Sequence, residues 1–226
     1  MKKLILIYTI SLLPLLGFSQ KGIYFRFQGG PSFPMIDLSS ELWNFDSKAG
    51  GFAKFGYHGS IDLSGYFTPN IGVAVTWMKN FHKVNTDAIH TKAFQPGIDS
   101  LVTIESSPWV INYMMIGPVF SVFLSEKWTF EGRLQIGKMN TNSPKIKLYV
   151  TNVNGSDSIF TRDYAYAEAL QYNAGIGLKY NFNEDFYFTM MADFHVAQPV
   201  FTYKESINVP NNLGVLNTSF GIAYKF

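Results

Sequence analysis

Along most of this chain the side chains alternate in kind at every second position, and that alternation decides the fold class. From Leu216 to Phe226 one parity carries Leu216, Thr218, Phe220, Ile222, Tyr224 and Phe226, while the other carries Asn217, Ser219, Gly221, Ala223 and Lys225. A helix would mix these sets on each face, whereas a strand sends them to opposite faces. Phe186, Phe188, Met190, Ala192, Phe194 and Val196 separate in the same way from Tyr187, Thr189, Met191, Asp193 and His195. Leu170, Tyr172, Ala174, Ile176, Leu178, Tyr180 and Phe182 separate from Gln171, Asn173, Gly175, Gly177, Lys179 and Asn181. Ile23, Phe25 and Phe27 oppose Tyr24, Arg26 and Gln28; Tyr57, Ile61 and Leu63 oppose His58, Ser60, Asp62 and Ser64. Ile71, Val73, Val75 and Trp77 oppose Gly72, Ala74 and Thr76; Trp128, Phe130, Leu134 and Ile136 oppose Thr129, Glu131, Arg133 and Gln135. Between Trp109 and Phe123, Asn112 and Ser121 fall on opposite parities, so a bulge at Gly117-Pro118 is expected to reset the register.

These segments predict eight strands of roughly ten to fifteen residues. Short turns fall near Thr68-Pro69-Asn70, Ser125-Glu126-Lys127 and Asn183-Glu184-Asp185, and long loops near 31–54, 82–108, 141–167 and 198–213. Within the third long loop, Lys145 to Val150 and Ser158 to Arg162 flank Asn154-Gly155 and predict a projecting hairpin. A soluble β-sandwich or lipocalin-like barrel would carry charge on its exposed face. Here the apolar faces are almost free of charge, and the opposite faces are small or polar, as the narrow interior of eight strands requires. Aromatics gather near the short turns at Tyr66, Phe67, Trp128, Tyr180, Phe182, Phe186, Tyr224 and Phe226, where an interfacial girdle is expected. The fold class expected is all-β: an eight-stranded antiparallel transmembrane β-barrel, an up-and-down meander with short periplasmic turns and long extracellular loops.

The first residues agree with that destination. Lys2 and Lys3 precede an apolar run from Leu4 to Phe18, and Gly17 and Ser19 supply small residues for signal-peptide cleavage, expected after Ser19. An uncleaved anchor is the competing reading, but the run is short of the ~20 residues that span and contains Pro14. The domains expected are therefore a signal peptide over 1–19 and a barrel over 20–226. Charged residues are only 15% of the chain and aromatics reach 17%, which excludes intrinsic disorder. Without Lys2 and Lys3, the 18 basic residues fall to 16 against 16 acidic ones, leaving no basic field for nucleic acid. With no cysteine, disulfides, thiolate metal sites and cysteine nucleophiles drop out.

The signal peptide, the eight-strand meander and the final strand Phe220-Gly221-Ile222-Ala223-Tyr224-Lys225-Phe226 resemble the outer-membrane β-barrel domain proteins of Bacteroidota. That group includes PorT-like proteins and, more distantly, OmpA-type membrane domains. Ile116-Gly117-Pro118-Val119-Phe120 before a short turn is similar to the same group. The resemblance implies outer-membrane lipid as the surroundings. It also implies that Phe220, Ile222, Tyr224 and Phe226 form the signal read by the barrel-assembly machinery. It covers the mature chain as architecture and fixes no activity.

Few residues suggest chemistry. His58, Ser60 and Asp62 share one strand face, but neighbours there stand roughly 6.5–7 Å apart, too far for a nucleophile and base that need about 2.6–3.2 Å. Asp193 and His195 form a similar pair, and His82 and His90 share a loop without an obvious third metal ligand. No catalytic, cofactor or metal site is expected. More telling is the inward set Arg26, Asp62, Glu131, Arg133, Lys179, Asp193 and Lys225, four cations and three anions. Confined in a narrow barrel, they must pair or stay hydrated. Paired, they form a polar plug; hydrated, a small pore. Asp99-Ser100-Leu101 and Asp157-Ser158-Ile159 resemble O-glycosylation acceptors at Ser100 and Ser158. The function expected is a non-enzymatic outer-membrane barrel acting through its surface loops or structurally. The alternatives are an accessory subunit of a secretion or transport complex, a small pore, or an enzyme acting on envelope lipid.

Overall fold

The computed structural model describes residues 22–42, 50–93, 101–151, 157–202 and 208–226. The expected signal peptide, Ser100 and the Asn154-Gly155 turn lie outside them. Eight long strands build the wall: β1 (Ile23–Ile36), β2 (Ala53–Tyr66), β3 (Ile71–Val84), β5 (Trp109–Phe123), β6 (Trp128–Asn142), β9 (Tyr166–Asn181), β10 (Phe186–Ala197) and β13 (Leu213–Lys225). Each pairs antiparallel with the next, and β13 returns to β1, closing the barrel. Closure leaves no wall strand with an unpaired edge.

The register fixes the barrel's shape. Phe25 pairs with Leu63, Leu63 with Val75, Val75 with Ile116, and Ile116 with Ile136. Ile136 then pairs with Tyr172, Tyr172 with Val196, Val196 with Gly214, and Gly214 with Met35. One circuit thus returns to β1 ten residues from its start, at Met35 rather than Phe25. Eight strands with that stagger tilt by about 40°, so each residue climbs roughly 2.5 Å along the axis and each ladder step roughly 3 Å.

Alternation becomes inside and outside as expected, but inverted relative to a water-soluble barrel. Phe27, Leu63, Trp77, Leu134, Ile176 and Ile222 point out and are exposed, while Arg26, Asp62, Thr76, Arg133, Gln171 and Asn217 point in and are buried. Near the short turns, Trp128 packs on Tyr180 and Tyr180 on Phe182, while Phe186 packs on Tyr224 and Tyr224 on Phe226, forming two clusters of an outer aromatic arc. Tyr66 is the correction to that girdle. It shares parity with His58 and Asp62, points inward and is only 4% exposed.

No bulge resets β5. Its ladder to β6 skips Gly117 and Pro118, yet Ile116↔Ile136 and Val119↔Arg133 keep one register. Asn112 faces outward and Ser121 inward because the whole strand holds odd positions inside. Asn112 is tolerated outside because it stands level with Lys79 and Asn140, beyond the apolar belt. Pro31 acts as Pro118 does: the β1–β13 ladder skips Gly30 and Pro31 without a shift. β1 therefore runs through both of its prolines to Ile36 instead of ending at 31. A register shift does occur in β2, between Ala53 and Gly56.

The described parts of three long loops carry regular elements. β7 (Ile146–Thr151) and β8 (Asp157–Arg162) pair as the expected hairpin. Two elements of the second loop were not foreseen: helix α1 (Thr86–Ala93) and strand β4 (Leu101–Ser106), which pairs with β7 to complete a three-stranded sheet. Phe52, Ile89 and Ile146 are buried between them, with Ile104 and Leu148 packed alongside. A further pair, β11 (Val200–Thr202) and β12 (Asn208–Pro210), belongs to the fourth loop. Between this cap and the barrel mouth, a cavity lined by Phe52, Trp109 and Ile146 holds only about 20 Å³.

Candidate functional site

The lumen collects nearly every group that could do chemistry, and it is built in three levels. The middle level is charged. Arg133 on β6 grips Asp193 on β10 with two parallel bonds, Nε to Oδ1 at 2.7 Å and Nη2 to Oδ2 at 2.6 Å. Its remaining Nη1 reaches Asp62 Oδ1 on β2 at 2.8 Å. Thr76 also donates to Asp62 and accepts from Gln135 Nε2 at 2.9 Å. One guanidinium thus holds two carboxylates, the planar fork geometry for which arginine is suited.

The level toward the short turns has the opposite imbalance. Glu131 accepts from Arg26 Nη2 at 2.6 and 2.8 Å and from Lys179 Nζ at 2.8 Å. Tyr66 donates to Glu131 at 3.2 Å, and Lys179 donates to the Tyr66 hydroxyl at 3.1 Å. The Lys179 ammonium also lies 5.1 and 5.0 Å from the ring centroids of Tyr24 and Tyr66. Two cations share one carboxylate here and two carboxylates share one cation above, so the six charges cancel across the lumen. All six are essentially buried, where an unbalanced charge would be costly.

Lys225 is the member of the expected set that does not join. It is half-buried at the short-turn mouth, where it lines a cavity of about 310 Å³ with Lys179, Tyr24 and Tyr187. The ladder explains this. Lys225 pairs with Tyr24, two residues closer to the turns than the Ala223↔Arg26 rung.

Above the charges, Ser32, Asn80, His82 and Asn217 interlock. Ser32 donates to Asn217 Oδ1 at 2.6 Å, and Asn80 Nδ2 donates to both at 3.1 and 3.0 Å. His82 uses one ring nitrogen on Ser32 at 3.2 Å and the other on the Lys54 carbonyl at 3.2 Å. Both His82 nitrogens face hydrogen-bond partners inside the lumen, whereas His90 sits on the exposed face of α1. This upper level is also strongly apolar, which the sequence pattern did not reveal. Ile111, Tyr113, Met139, Phe201 and Val215 are buried around the polar group, Met78 and Met115 lie just beneath it toward the charges, and Trp109 packs edge-on against Phe201 at 5.8 Å.

Neither suspected catalytic grouping is arranged as a hydrogen-bonded nucleophile and base in this structure. His58, Ser60 and Asp62 are buried on one face of β2, but Ser60 Oγ has no hydrogen-bond partner and Asp62 Oδ1 is held by Arg133 and Thr76. Asp193 is likewise taken by Arg133, and the His195 ring stacks on Tyr113 at 4.8 Å.

Gly175 shows how closely the centre is packed. A Cβ there would lie 2.0 Å from Asp193 Oδ1 and 3.0 Å from Arg133 Cγ. Gly175→Ala is expected to displace the Arg133 fork and lower stability by about 1–3 kcal/mol, read as an earlier urea midpoint in lipid vesicles. A wild-type midpoint would show that the fork has room to shift.

No protein-family model matches the chain, and no curated protein matches it. Solved structures do. Neisserial surface protein A aligns with 90% of this chain and 97% of its own, at 11% identity and a TM-score of 0.51. Ail, the attachment invasion locus protein of Yersinia pestis, aligns with 92% and 100%, at 15% identity and a TM-score of 0.47. The outer membrane protein OprG from Pseudomonas aeruginosa aligns with 91% and 96%, at 12% identity and a TM-score of 0.40. What this chain shares with the first of these is the fold, a closed eight-stranded antiparallel barrel.

Proposed function

We propose that this chain is a non-enzymatic integral outer-membrane protein with a plugged lumen, acting through its structured outer cap or as a structural part of the envelope. The observation that carries the reading is the inversion of the barrel. Six charges are paired inside while an unbroken belt of Phe, Leu, Ile, Val and Trp is exposed outside. Water-soluble monomers rarely expose apolar patches beyond a few hundred Å². A closed sheet satisfies its backbone internally, which hydrocarbon surroundings require, and the aromatic arc suits one interface. The filled upper lumen supports a plug rather than a pore.

Export by a signal peptide cut after Ser19, folding by the barrel-assembly machinery through Phe220, Ile222, Tyr224 and Phe226, and glycosylation at Ser100 or Ser158 belong to this reading as proposals. So does the Bacteroidota resemblance, with a PorT-like accessory role as one form of action through the loops. An even strand count puts Gly22 and Phe226 on the short-turn side; in this reading that side faces the periplasm and the cap faces outward.

The folded protein is expected to need detergent and to change gel mobility between unheated and boiled samples. In intact cells, Thr103→Cys on β4 should react with an impermeant maleimide and Glu184→Cys in the β9–β10 turn should not. Both positions are exposed and the chain has no cysteine of its own. A detergent-free soluble monomer would overturn the membrane reading, and reversed labelling would overturn the orientation.

A further inference from the structure

The apolar belt does not end at one height. On β5, β6 and β9 the outward series turns polar at Asn112, at Lys138 and Asn140, and at Glu168, where Lys138 pairs with Glu168 at 2.6 Å. On β1 and β2 the outward series carries aromatics further up, at Phe33, Phe55 and Tyr57, and on β3 Phe81 follows Lys79 at that height. Phe33 packs edge-on against Phe55 at 5.3 Å, and Tyr57 stacks on Phe81 at 5.3 Å. By the ladder climb, Tyr57, Phe81 and Asn112 stand within about 3 Å of one another in height. An apolar surface therefore rises on one side into the level that is polar on the other.

This raised surface is hollow. Pro31, Phe55, Tyr57, Phe81, Lys83 and Pro108 are among the residues lining a groove of about 860 Å³, which lies at the upper end of the ~300–1,000 Å³ usual for ligand sites. Phe55 and Tyr57 are 61% and 63% exposed, so the barrel itself does not cover it. Two cations flank it on the same outward parity of β3. Lys79 is half-buried with its ammonium 5.1 Å from the Phe81 ring centroid, and Lys83 lies exposed two residues above Phe81. No carboxylate pairs with either among the described residues, whereas nearby Lys54 is paired with Asp87 at 3.3 Å.

We propose that this groove holds one phosphate-bearing lipid of the outer leaflet, its acyl chain on Phe55, Tyr57 and Phe81 and its phosphate between Lys79 and Lys83. The inference rests on the membrane reading above. Charge complementarity selects the occupant. An apolar protein partner would use the aromatics and leave two ammonium groups unmatched at the headgroup level, where anionic lipid attracts lysine. The other polar stretches of the rim lack this combination, because Lys138 is neutralised by Glu168 and Asn112 and Asn140 are uncharged.

The test is native mass spectrometry of the full chain released from micelles doped with phosphatidic acid or with phosphatidylcholine of the same acyl chains. The wild type should retain one phosphatidic acid, with a preference over phosphatidylcholine of roughly thirtyfold if each lysine contributes as surface lysines do. Lys79→Gln with Lys83→Gln should abolish the preference while keeping the heat-dependent gel shift that reports a folded barrel. Phe81→Ser should weaken retention of both lipids. Equal retention of the two lipids by a heat-modifiable wild type would overturn this inference alone. So would undiminished preference in the double lysine variant, or a second copy of the chain in place of lipid. A chain that needs no detergent and retains neither lipid would instead overturn the membrane reading beneath it.

Discussion

Replacing Arg133 by alanine is expected to cost about 3–5 kcal/mol of folding stability, because it strands two buried carboxylates at once. Arg133 supplies both bonds to Asp193 and the ion pair to Asp62. Lys179 cannot replace it, since its ammonium is held between Glu131 and Tyr66. The loss should appear as an earlier unfolding midpoint in urea, with the folded form still heat-modifiable on gels. The same variant separates a plug from a pore. If the lumen is plugged, wild type in planar bilayers passes little or no current and the variant is strongly destabilised. If the charges line a hydrated pore, wild type conducts, the substitution barely moves the midpoint, and selectivity shifts toward cations as a lining positive charge is lost. Steady wild-type conductance with an unchanged midpoint would sink the plug.

The outward and inward faces of seven wall strands were legible because the two parities differ in chemistry, as in Phe194 against Asp193 and His195. β5 hid its register because both of its faces are apolar near the outer end. Trp109, Ile111, Tyr113 and Met115 point in while Met114 and Ile116 point out, so parity no longer labels a side. That same run is what closes the upper lumen, and its apolar inward positions were the available signal. α1 is short and only weakly amphipathic, and nothing in Thr86–Ala93 announces a helix inside a long loop. β4 did carry a signal, since Val102 and Ile104 alternate with Thr103 and Glu105. The charged residues of the lumen could be named from parity, but their partners could not. Arg26 meets Glu131 across 105 residues, a match set by ladder positions on strands that are not neighbours in the wall. Lys225 was misplaced for a related reason: parity gives the face of a strand, not the depth.

Depth also explains why the six charges should be read together. Glu131→Gln is expected to destabilise the barrel by a cost comparable to that of Arg133→Ala, about 3–5 kcal/mol, since Arg26 and Lys179 would then share no carboxylate. Lys179→Met should cost far less, because Arg26 keeps both of its bonds to Glu131 and the removed ammonium lies nearest the open mouth cavity. The informative variant is the double one. Glu131→Gln with Lys179→Met leaves Arg26 beside a pair of carboxylates held by one guanidinium, two cations against two anions. Arg26 is positioned for that compensation, as it is the cross-strand partner of Asp62. The double variant should therefore be more stable than Glu131→Gln alone, with a coupling of about 1–3 kcal/mol in the mutant cycle. A cycle that closes additively would show that each ion pair stands by itself and that lumen neutrality carries no energetic weight.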